Sequence, residues 1–347
     1  MGTLSTGHLF AGIDGLGLGL EPHGFRTAWF SEYEDAPSRV LAHHYPDVPN
    51  HGDITRIDWG QVEPVDVLTG GFPCQDLSYA GKGAGIKEGT RSGLWFEYVR
   101  AIRALRPRLV IVENVSALLY RGLDVVLGDL HECGFDAEWS TLRASDVGAA
   151  HRRERLFIVA IARDPDGPRT HTHAPQGSPW HPTGKSGSGP RGAHVADRNG
   201  VGHVHGEPGV VTAEAGIDAL RHAATGGDPA AADTSSPERR GPQLETVGPT
   251  PGSAPEHRER AGSATWGEFW PAVRRWERVL GRPAPEPVAD GWMTADFVEW
   301  HMGFPAGWTD LITREQRLKA LGNAVVPQVA DVIGRWAVEI TAGKVAA

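Results

Sequence analysis

Residues 4–19 read LSTGHLFAGIDGLGLG, and this stretch decides the fold of the chain. Leu4 to Phe10 are predicted as the first strand, and they lead into a glycine-rich turn and then a helix-like segment. Glycines at such a turn let the backbone approach a ligand, and the following helix N-terminus offers free N–H groups. The pattern alone is weak, because many nucleotide-binding and purely structural turns share it. It predicts the first βα unit of an α/β fold.

Further short apolar stretches follow the same rhythm of strand and helix up to residue 163. They are residues 28–31, 65–69, 108–112 and 156–161. The run Val110-Ile111-Val112 has the uninterrupted apolar character of a buried parallel strand. Strands that alternate with helices predict an α/β fold with a Rossmann-like, doubly wound and mostly parallel sheet.

The composition changes sharply after residue 163. Residues 164–262 are rich in glycine, proline, histidine and serine and show little periodicity. This is typical either of a segment without regular structure or of a small irregular domain. Helical spacing returns in a set of apolar residues: Trp266, Phe269, Trp270, Val273 and Trp276. Residues 314–340 are again periodic, which predicts further helix.

The composition is that of an ordinary soluble globular protein, with 40% hydrophobic and 22% charged residues. We expect no membrane span, because no stretch approaches the run of about 18 apolar residues that a membrane helix needs. The first residues carry no targeting pattern. The two cysteines, Cys74 and Cys133, exclude a disulfide framework, and no Cys/His cluster has zinc spacing, so we expect no metal. A reducing cytoplasm fits this cysteine usage best.

The net charge of −9 argues mildly against a nucleic-acid partner, because phosphate groups bind cations. The acidic excess, however, lies in the first half of the chain, and arginines cluster locally at Arg152, Arg153 and Arg155. A local field of this kind can bind DNA on a protein of negative overall charge. Composition alone therefore leaves the partner open.

The hexapeptide Gly70-Gly71-Phe72-Pro73-Cys74-Gln75 directly follows the third predicted strand. A cysteine in a glycine- and proline-rich loop at the carboxyl end of a strand lies where α/β enzymes place their chemistry. Free N–H groups in such a turn lower the thiol pKa and favour a reactive thiolate. The alternative is a buried, inert cysteine, which is the commoner fate of a lone cysteine and the one that we favour for Cys133.

Carboxylates and arginines lie at the ends of other predicted strands. Glu32 follows the second strand, where a carboxylate commonly holds ribose hydroxyls, and Asp53 could act similarly. Glu113 ends a hydrophobic strand, so partial desolvation raises its pKa and suits it to proton donation. Arg153 and Arg155 alternate along an extended segment and would point to one side, towards a base, a phosphate or Glu113. The alternative for the arginines is a solvated run of charges.

The order of these motifs resembles that of the DNA cytosine-5 methyltransferases. That family has a Phe-x-Gly loop, a Pro-Cys-Gln loop, a Glu-Asn-Val turn, a Gln-x-Arg-x-Arg segment and a final Gly-Asn motif. The counterparts here are Phe10-Ala11-Gly12, Pro73-Cys74-Gln75, Glu113-Asn114-Val115, His151 to Arg155, and Gly322-Asn323-Ala324-Val325-Val326-Pro327. Residues 297–308 also resemble the segment before the final motif. The resemblance leaves out residues 164–262, where these enzymes vary most.

The resemblance implies S-adenosylmethionine as the methyl donor and a cytosine of double-stranded DNA, flipped out of the duplex, as the acceptor. It assigns catalytic roles to Cys74, Glu113, Arg153 and Arg155. Thiolate attack by Cys74 on C6 would activate C5 of the ring. Glu113 would hold N3 and the exocyclic amine and lend a proton, and the two arginines would position the ring.

A larger set of residues is implied to surround S-adenosylmethionine. They are Phe10, Gly12, Gly15, Glu32, Tyr33, Asp53, Ile54, Leu94, Asn323 and Val325. The loop residues Gln75 and Ser78 would face the DNA. The expected fold is that of a class I S-adenosylmethionine-dependent methyltransferase with a smaller, irregular target-recognition domain. Residues 1–163 and 314–347 would form the catalytic domain, and residues 164–313 the target-recognition region and hinge.

Two residues depart from the family pattern. Asp14 stands where the cofactor loop usually has glycine, and its carboxylate would repel the methionine carboxylate or pair with the ammonium group. His151 replaces the usual glutamine and keeps hydrogen-bonding capacity. Neither change touches Cys74 or Glu113.

Other functions remain as alternatives. A nicotinamide-dependent dehydrogenase would share the glycine turn and Glu32, but it gives no reason for the motifs at Cys74 and Glu113. A tRNA cytosine methyltransferase of the same fold differs in its substrate, and the divergent residues 164–290 favour DNA. A catalytically silent DNA-binding relative is disfavoured because the catalytic residues are intact. We further expect a cytoplasmic monomer of bacterial or phage origin; whether a restriction endonuclease accompanies it stays open.

Overall fold

The structure is a computed structural model that describes residues 3–73, 93–163, 202–203 and 265–345. Within these residues the main sheet consists of β1 (Leu4–Leu9), β2 (Phe25–Ser31), β3 (Val67–Gly70), β4 (Leu109–Val115), β5 (Phe135–Arg143), β6 (Glu154–Ala162) and β7 (Gly202–His203). The spatial order of the strands is β2-β1-β3-β4-β6-β5-β7. A separate hairpin pairs β8 (Val288–Ala289) with β9 (Trp292–Met293).

Helices connect and cover these strands. They are α1 (Gly15–Leu20), α2 (Asp35–His44), α3 (Leu94–Leu105), α4 (Leu123–Glu132), α5 (Trp270–Leu280), α6 (Ala295–His301), α7 (Arg314–Asn323) and α8 (Pro327–Val345). The helical spacing seen in the sequence is realised in α5, where Trp270, Val273 and Trp276 are buried; Phe269 precedes the helix and is exposed. The interpretation of residues 164–262 concerns a part of the chain that, apart from residues 202–203, lies outside the described residues.

Strands β1 to β4 pair in parallel, whereas β6 runs antiparallel to both β4 and β5. The predicted mostly parallel α/β sheet is therefore confirmed. The chain adds β2 on one side of β1 and β3 on the other. A switch point of this kind opens a crevice at the carboxyl ends of the strands, which is where open α/β sheets bind ligands.

The core has two layers, one on each face of the sheet, because successive side chains of a strand point to opposite faces. In β4, Leu109 and Ile111 join the layer that contains α1 and α8. Val110 and Val112 join the layer that contains α3 and α4. All four side chains are at most 3% exposed, so the strand is buried on both faces.

Helix α8 packs directly on α1. A side chain at Gly19 would collide with the carbonyl of Pro327 and with Ala330, so the close approach of the helices requires glycine. Just after α1, His23 Nε2 lies 2.8 Å from Asp331 Oδ1 of α8. The last helix thus completes the hydrophobic layer on the α1 face of the sheet.

Two strands differ from the expectation. The apolar pattern does not predict β5, because exposed and buried residues alternate along Phe135–Arg143 and leave no continuous apolar run. Strand β4 continues through Glu113–Val115, where the family pattern predicts a turn. These residues stay in the strand because they pair with residues 155–157 of β6.

Candidate active site

The loop between β1 and α1 lies at the switch point of the sheet, and several contacts fix its backbone. Phe10 and Gly12 have φ values of 52° and 58°, in the left-handed region that favours glycine. The N–H of Gly12 donates to Glu32 Oε2 at 2.7 Å. The N–H of Asp14 donates to the carbonyl of Ala11 at 3.0 Å. The segment predicted as a glycine-rich turn is therefore a tightly held loop.

Glu32 follows β2 and is held beside this loop. Its second oxygen accepts from the N–H of Glu34 at 2.7 Å, and the residue is 9% exposed. Burial raises the pKa of Glu32, and the N–H groups of Glu34 and Gly12 oppose the rise. A carboxylate fixed by two backbone donors keeps lone pairs for a hydroxyl ligand.

The segment before Asp53 runs beside the end of β2. Ser31 Oγ donates to the carbonyl of Gly52 at 2.8 Å. Asp53 accepts from the N–H and the hydroxyl of Thr55, and these bonds hold the pKa of Asp53 below its ordinary value. Ile54 is buried. Leu94 is the first residue of α3 and is partly buried.

An open cleft of about 500 Å³ lies between the start of α2 and helix α7. Tyr33 lines it and is 76% exposed. Lys319 Nζ lies 2.6 Å from Glu34 Oε2 across this cleft. Of the residues that the resemblance assigns to the cofactor, Tyr33 is the one that lines this cleft.

The turn between α7 and α8 reaches the cofactor loop from the other end of the chain. A side chain on Gly15 would collide with the carbonyl of Val325, so glycine is required where the two segments touch. Val325 is partly buried, whereas Asn323 at the end of α7 is exposed. The structure thus brings the predicted residues of both chain ends to one place.

Asp14 lies beneath the cofactor loop and not in open space. It is 1% exposed, has a φ of 63°, and caps α1 by accepting from the N–H of Gly17 at 3.1 Å. Burial raises the pKa of Asp14 to about 7, while hydrogen bonding to Tyr45 and Gly17 opposes the rise. The expectation that this carboxylate meets the methionine moiety is corrected, because the side chain is used inside the protein as a helix cap.

A buried histidine lies next to Asp14. His8 Nδ1 is 3.0 Å from Thr69 Oγ1 and 3.7 Å from Asp14 Oδ1, and His8 Nε2 is 3.2 Å from Thr27 Oγ1. Burial lowers the pKa of His8 to about 3, so the ring is neutral at pH 7. The ring therefore links β1, β2 and β3 under the loop. The sequence gives no signal for this network, because the threonines meet His8 only through strand pairing.

Glu113 and Arg155 form an ion pair at the carboxyl end of β4. Arg155 Nε lies 3.1 Å from Glu113 Oε1, and the side chains are 22% and 13% exposed. Because β6 is antiparallel, its first residues meet the last residues of β4, with Val115 opposite Arg155. Burial raises the pKa of Glu113, and Arg155 and then Arg153 oppose the rise. A carboxyl group with a raised pKa retains a proton more readily, as a general acid must.

The chain that leads to Cys74 passes directly against this carboxylate. A side chain on Gly71 would collide with Glu113 Oε2. Asn114 Nδ2 donates to the carbonyl of Phe72 at 3.1 Å. Gly71 was not predicted as a site residue, although a Gly-Gly pair such as Gly70-Gly71 is a signal of close backbone approach. The Glu-Asn pair of β4 thus holds the entrance of the loop.

Arg153 does not follow the alternation expected of an extended segment. Its φ of 24° takes the backbone out of strand geometry, and β6 begins only after it. Arg153 Nη2 donates to the carbonyls of Gly322 and Ala324, at 2.9 and 2.7 Å. Burial and the neighbouring Arg155 lower the pKa of Arg153 to about 10, so it is charged at pH 7. The expected alternation is therefore not observed: Arg153 donates to the turn before α8, and its charge also opposes the rise in the pKa of Glu113.

His151 uses its hydrogen-bonding capacity inside the protein. Its Nε2 lies 3.0 Å from the carbonyl of His301, and the two ring centroids are 4.4 Å apart. Burial lowers the pKa of both His151 and His301 to about 4, and the two rings are therefore neutral at pH 7. The contact joins the start of β6 to α6.

The expected nucleophile lies outside the described residues. Cys74, Gln75 and Ser78 all belong to residues 74–92, which the structure does not describe. Cys133 ends α4 and is partly buried, and burial raises the pKa of its thiol, which disfavours the thiolate.

Among the described residues, no group of three or more His, Cys, Asp or Glu side chains is placed to hold a metal ion. No helix in the same part of the chain is long and apolar enough to cross a membrane.

Comparisons with known proteins agree with this geometry. The chain is 34% identical to the Type II methyltransferase M.NlaIV of Neisseria lactamica over 176 residues, which are 46% of this chain and 41% of that protein. It is 37% identical to the Type II methyltransferase M.Eco47II of Escherichia coli over 163 residues, 45% of this chain and 39% of that one. The matches thus span about two fifths of these relatives.

Among solved structures, the chain is similar to a protein described as a DNA modification methyltransferase encoded within an E. coli prophage. The TM-score is 0.54 and the identity 18%, over 96% of this chain and 98% of that one. At this identity the likeness concerns the fold, and it supports the class I methyltransferase fold. Residues 4–187, more than half of the chain, match the family of C-5 cytosine-specific DNA methylases. The chain therefore belongs to the C-5 cytosine-specific DNA methylase family.

Proposed function

We propose that this protein transfers a methyl group from S-adenosylmethionine to C5 of a flipped-out cytosine in double-stranded DNA, with Cys74 as the nucleophile. One observation carries the proposal. The backbone that leads to Cys74 passes against Glu113, which is itself paired with Arg155. Cys74 follows Gly71 by only three residues, so the proposed nucleophile is close in sequence to a backbone segment that contacts a partly buried carboxyl group, and a reaction shared by a thiolate and an acid needs both groups near each other.

Each residue of the site has a defined task in this reaction. The Cys74 thiolate adds to C6, and the electron pair of the C5–C6 double bond becomes available at C5. Glu113 holds N3 and the exocyclic amine and lends a proton, because its raised pKa favours the protonated form. S-adenosylmethionine, when bound, supplies the methyl group that C5 takes up. Loss of the C5 proton then restores the double bond and expels the thiolate.

The residues near the switch point fit S-adenosylmethionine. Gly12 leaves room for a ligand, since a Cβ there would meet no atom of the described residues within 4 Å. Glu32 offers a fixed carboxylate for ribose hydroxyls. Tyr33, Asp53, Ile54 and Leu94 lie around the same edge of the sheet, and Asn323 and Val325 approach from the C-terminal turn.

The roles of the two arginines differ in this proposal. Arg155 contacts the site carboxylate directly and keeps Glu113 oriented towards the base. Arg153 acts through its bonds to the carbonyls of Gly322 and Ala324, so it orders the turn that carries Asn323. Arg155 is thus the better candidate for contact with the ring carbonyl.

DNA is favoured over tRNA as the substrate because the relatives M.NlaIV and M.Eco47II are Type II methyltransferases. Residues 164–313 would supply target recognition, Gln75 and Ser78 would contact the DNA, and the protein would act as a monomer. A role beside a companion restriction endonuclease belongs to the same proposal.

Covalent trapping tests the nucleophile. DNA with 5-fluorocytosine at the target should become permanently attached to the protein when S-adenosylmethionine is present, because fluorine cannot leave as the C5 proton does. Cys74→Ser should abolish attachment and methylation, since an unactivated hydroxyl is a far weaker nucleophile than a thiolate. Peptide mapping of the adduct and transfer of a labelled methyl group to DNA are the measurements.

Cys133→Ser is the matched control and should keep both methylation and attachment. An adduct on Cys133, or methylation that persists in Cys74→Ser, would show that the nucleophile is wrong. Glu113→Gln keeps hydrogen bonds but cannot lend a proton, so its methylation rate should fall by about 10² or more. Transfer to tRNA and not to duplex DNA would overturn the choice of substrate.

A further inference from the structure

Trp308 connects the C-terminal part of the chain to the middle of the cofactor loop. Its indole Nε1 donates to the carbonyl of Ile13 at 2.9 Å, and the residue is 9% exposed. On the other side of the same peptide unit, the N–H of Asp14 donates to the carbonyl of Ala11. Because the peptide unit is planar and trans, bonds to its carbonyl and to its N–H together fix the orientation of the whole unit.

Contacts with neighbouring residues fix the orientation of the Trp308 indole. It stacks on the ring of His44, with centroids 3.6 Å apart and an interplanar angle of 2°. The carboxylate of Glu299, which is 1% exposed, accepts from the N–H groups of Gly307 and Thr309 at 2.7 and 2.8 Å. These are the residues directly before and after Trp308. Side-chain stacking and backbone bonds thus leave the indole one orientation.

The loop that receives this bond contains several residues in an uncommon conformation. Phe10, Gly12 and Asp14 all have φ values between 52° and 63°. Such a segment costs free energy to hold in one shape, and a ligand that must order it loses affinity. A bond that orders the loop beforehand removes this cost from binding. It should leave the chemical step unchanged, since the hydrogen bonds and ring contacts of Trp308 within the described residues go to none of Glu113, Arg153 and Arg155.

We propose that Trp308 is a positioning residue that presets the loop Phe10–Gly19 for S-adenosylmethionine, an inference that rests on the proposed function. Trp308→Phe keeps an aromatic ring over His44 and removes the N–H donor. The dissociation constant for S-adenosylmethionine should rise about 3- to 10-fold, as expected for loss of one buried hydrogen bond. The KM for the cofactor should rise in step, while kcat at saturating cofactor and DNA stays within about twofold.

Trp276→Phe is the matched control. Trp276 is also a buried indole whose Nε1 donates to a backbone carbonyl, that of Trp300 at 3.1 Å. Both variants lose one N–H bond and the same ring area, so their losses in the free energy of unfolding should be similar. Only Trp308→Phe should weaken cofactor binding in titration calorimetry.

Amide hydrogen exchange gives a readout that needs no cofactor. In the free protein, exchange of a peptide that covers residues 10–19 should accelerate several-fold in Trp308→Phe and stay unchanged in Trp276→Phe. The inference would be overturned if exchange of this peptide accelerated equally in both variants, or if it accelerated in neither. If the wild type binds S-adenosylmethionine and Trp308→Phe binds it with the same dissociation constant, this inference is wrong but the proposed function is not. Wild-type protein that binds no S-adenosylmethionine would overturn the proposed function, and with it the link from loop to cofactor.

Discussion

Asp14 places a titratable group where water does not reach. Burial raises its pKa to about 7, and nearby Glu21 adds to the rise. The adjoining His8 ring is neutral at pH 7, and the Tyr45 hydroxyl has its pKa raised by burial and by Asp14. The ionised carboxylate therefore has no cation to compensate its burial among these neighbours. Between the ordinary pKa of an aspartate and pH 7, the folded chain keeps a proton that the unfolded chain has lost.

The sign of the resulting pH dependence follows from this difference. The folded state binds the extra proton, so its stability falls as pH rises through this window and levels off above pH 7. Asp14→Asn resembles the protonated form and also tolerates a positive φ. The gain of Asp14→Asn over the wild type in free energy of unfolding should grow by roughly 1–3 kcal/mol between pH 5 and pH 8. Urea unfolding at both pH values measures it.

Asp53→Asn provides the control for this experiment. The pKa of Asp53 is held below its ordinary value by Thr55, so its carboxylate is ionised at both pH 5 and pH 8. Its difference from the wild type should not change between them. A flat difference for Asp14→Asn as well would mean that Asp14 does not titrate near neutrality.

The contact of α1 with α8 depends on a single missing side chain. A Cβ on Gly19 would collide with backbone atoms of α8 at Pro327 and Asp331. Gly19→Ala should therefore lower the free energy of unfolding by roughly 1–3 kcal/mol, although alanine is the better helix former. Thermal or urea unfolding measures the change.

Gly128 in α4 is the matched glycine, because a Cβ there would meet no atom within 4 Å in the described parts of the chain. Gly128→Ala should raise the free energy of unfolding by about 0.5–1 kcal/mol. Opposite signs for the two variants would establish that the packing of α8, and not helix propensity, decides the result. A stabilising Gly19→Ala would contradict the close approach of the two helices.

Most strands could be predicted because they are apolar runs buried on both faces. Strand β4 is the clearest case, and β3, its parallel neighbour in the sheet, is also buried along its whole length. Strand β5 was not predicted because polar residues such as Asp136 and Glu138 alternate with its buried residues. The antiparallel direction of β6 was not predicted either, because an apolar run indicates a buried strand but does not indicate whether the strand pairs in parallel or antiparallel.

Some residues of the candidate site could likewise be predicted from the sequence, and others could not. Glu32 and Glu113 could be singled out because each lies at the carboxyl end of a strand, and burial there raises the pKa of both carboxyl groups. The targets of Arg153 and Trp308 could not, because their partners lie more than 150 residues away along the chain. Asp14 could be recognised as a departure from the family, but only the packing of the loop decides whether its carboxylate faces the ligand or the core.

At the scale of the whole molecule, we propose that catalysis and target choice reside in separate parts of the chain. The residues assigned to the cofactor and to the reaction come from residues 10–155 and 323–325. Exchanging residues 164–293 with those of a relative of different specificity should therefore transfer the target preference. Methylation-sensitive sequencing of DNA from cells that express the hybrid measures activity and target together.

A shorter exchange guards against a hybrid that fails to fold. Helix α5 is tied to the catalytic part, since Arg275 Nε donates to the carbonyl of Gly148 at 3.2 Å. Exchanging only residues 164–264 keeps this contact. A target preference that stays with residues 1–163 in an active hybrid would refute the separation.

The packing of α8 on α1 also has a consequence for biosynthesis. Synthesis at about 5–20 residues per second leaves roughly 15–60 s between the appearance of the two helices. During that time Leu16 and Leu20 of α1, which are buried in the finished protein, lack their cover. A nascent chain in this state exposes apolar surface to chaperones and lacks the turn that meets Gly15. The site that we propose for the cofactor therefore forms only after α8 has been synthesised, and a ribosome that stalls before α8 leaves a chain without it.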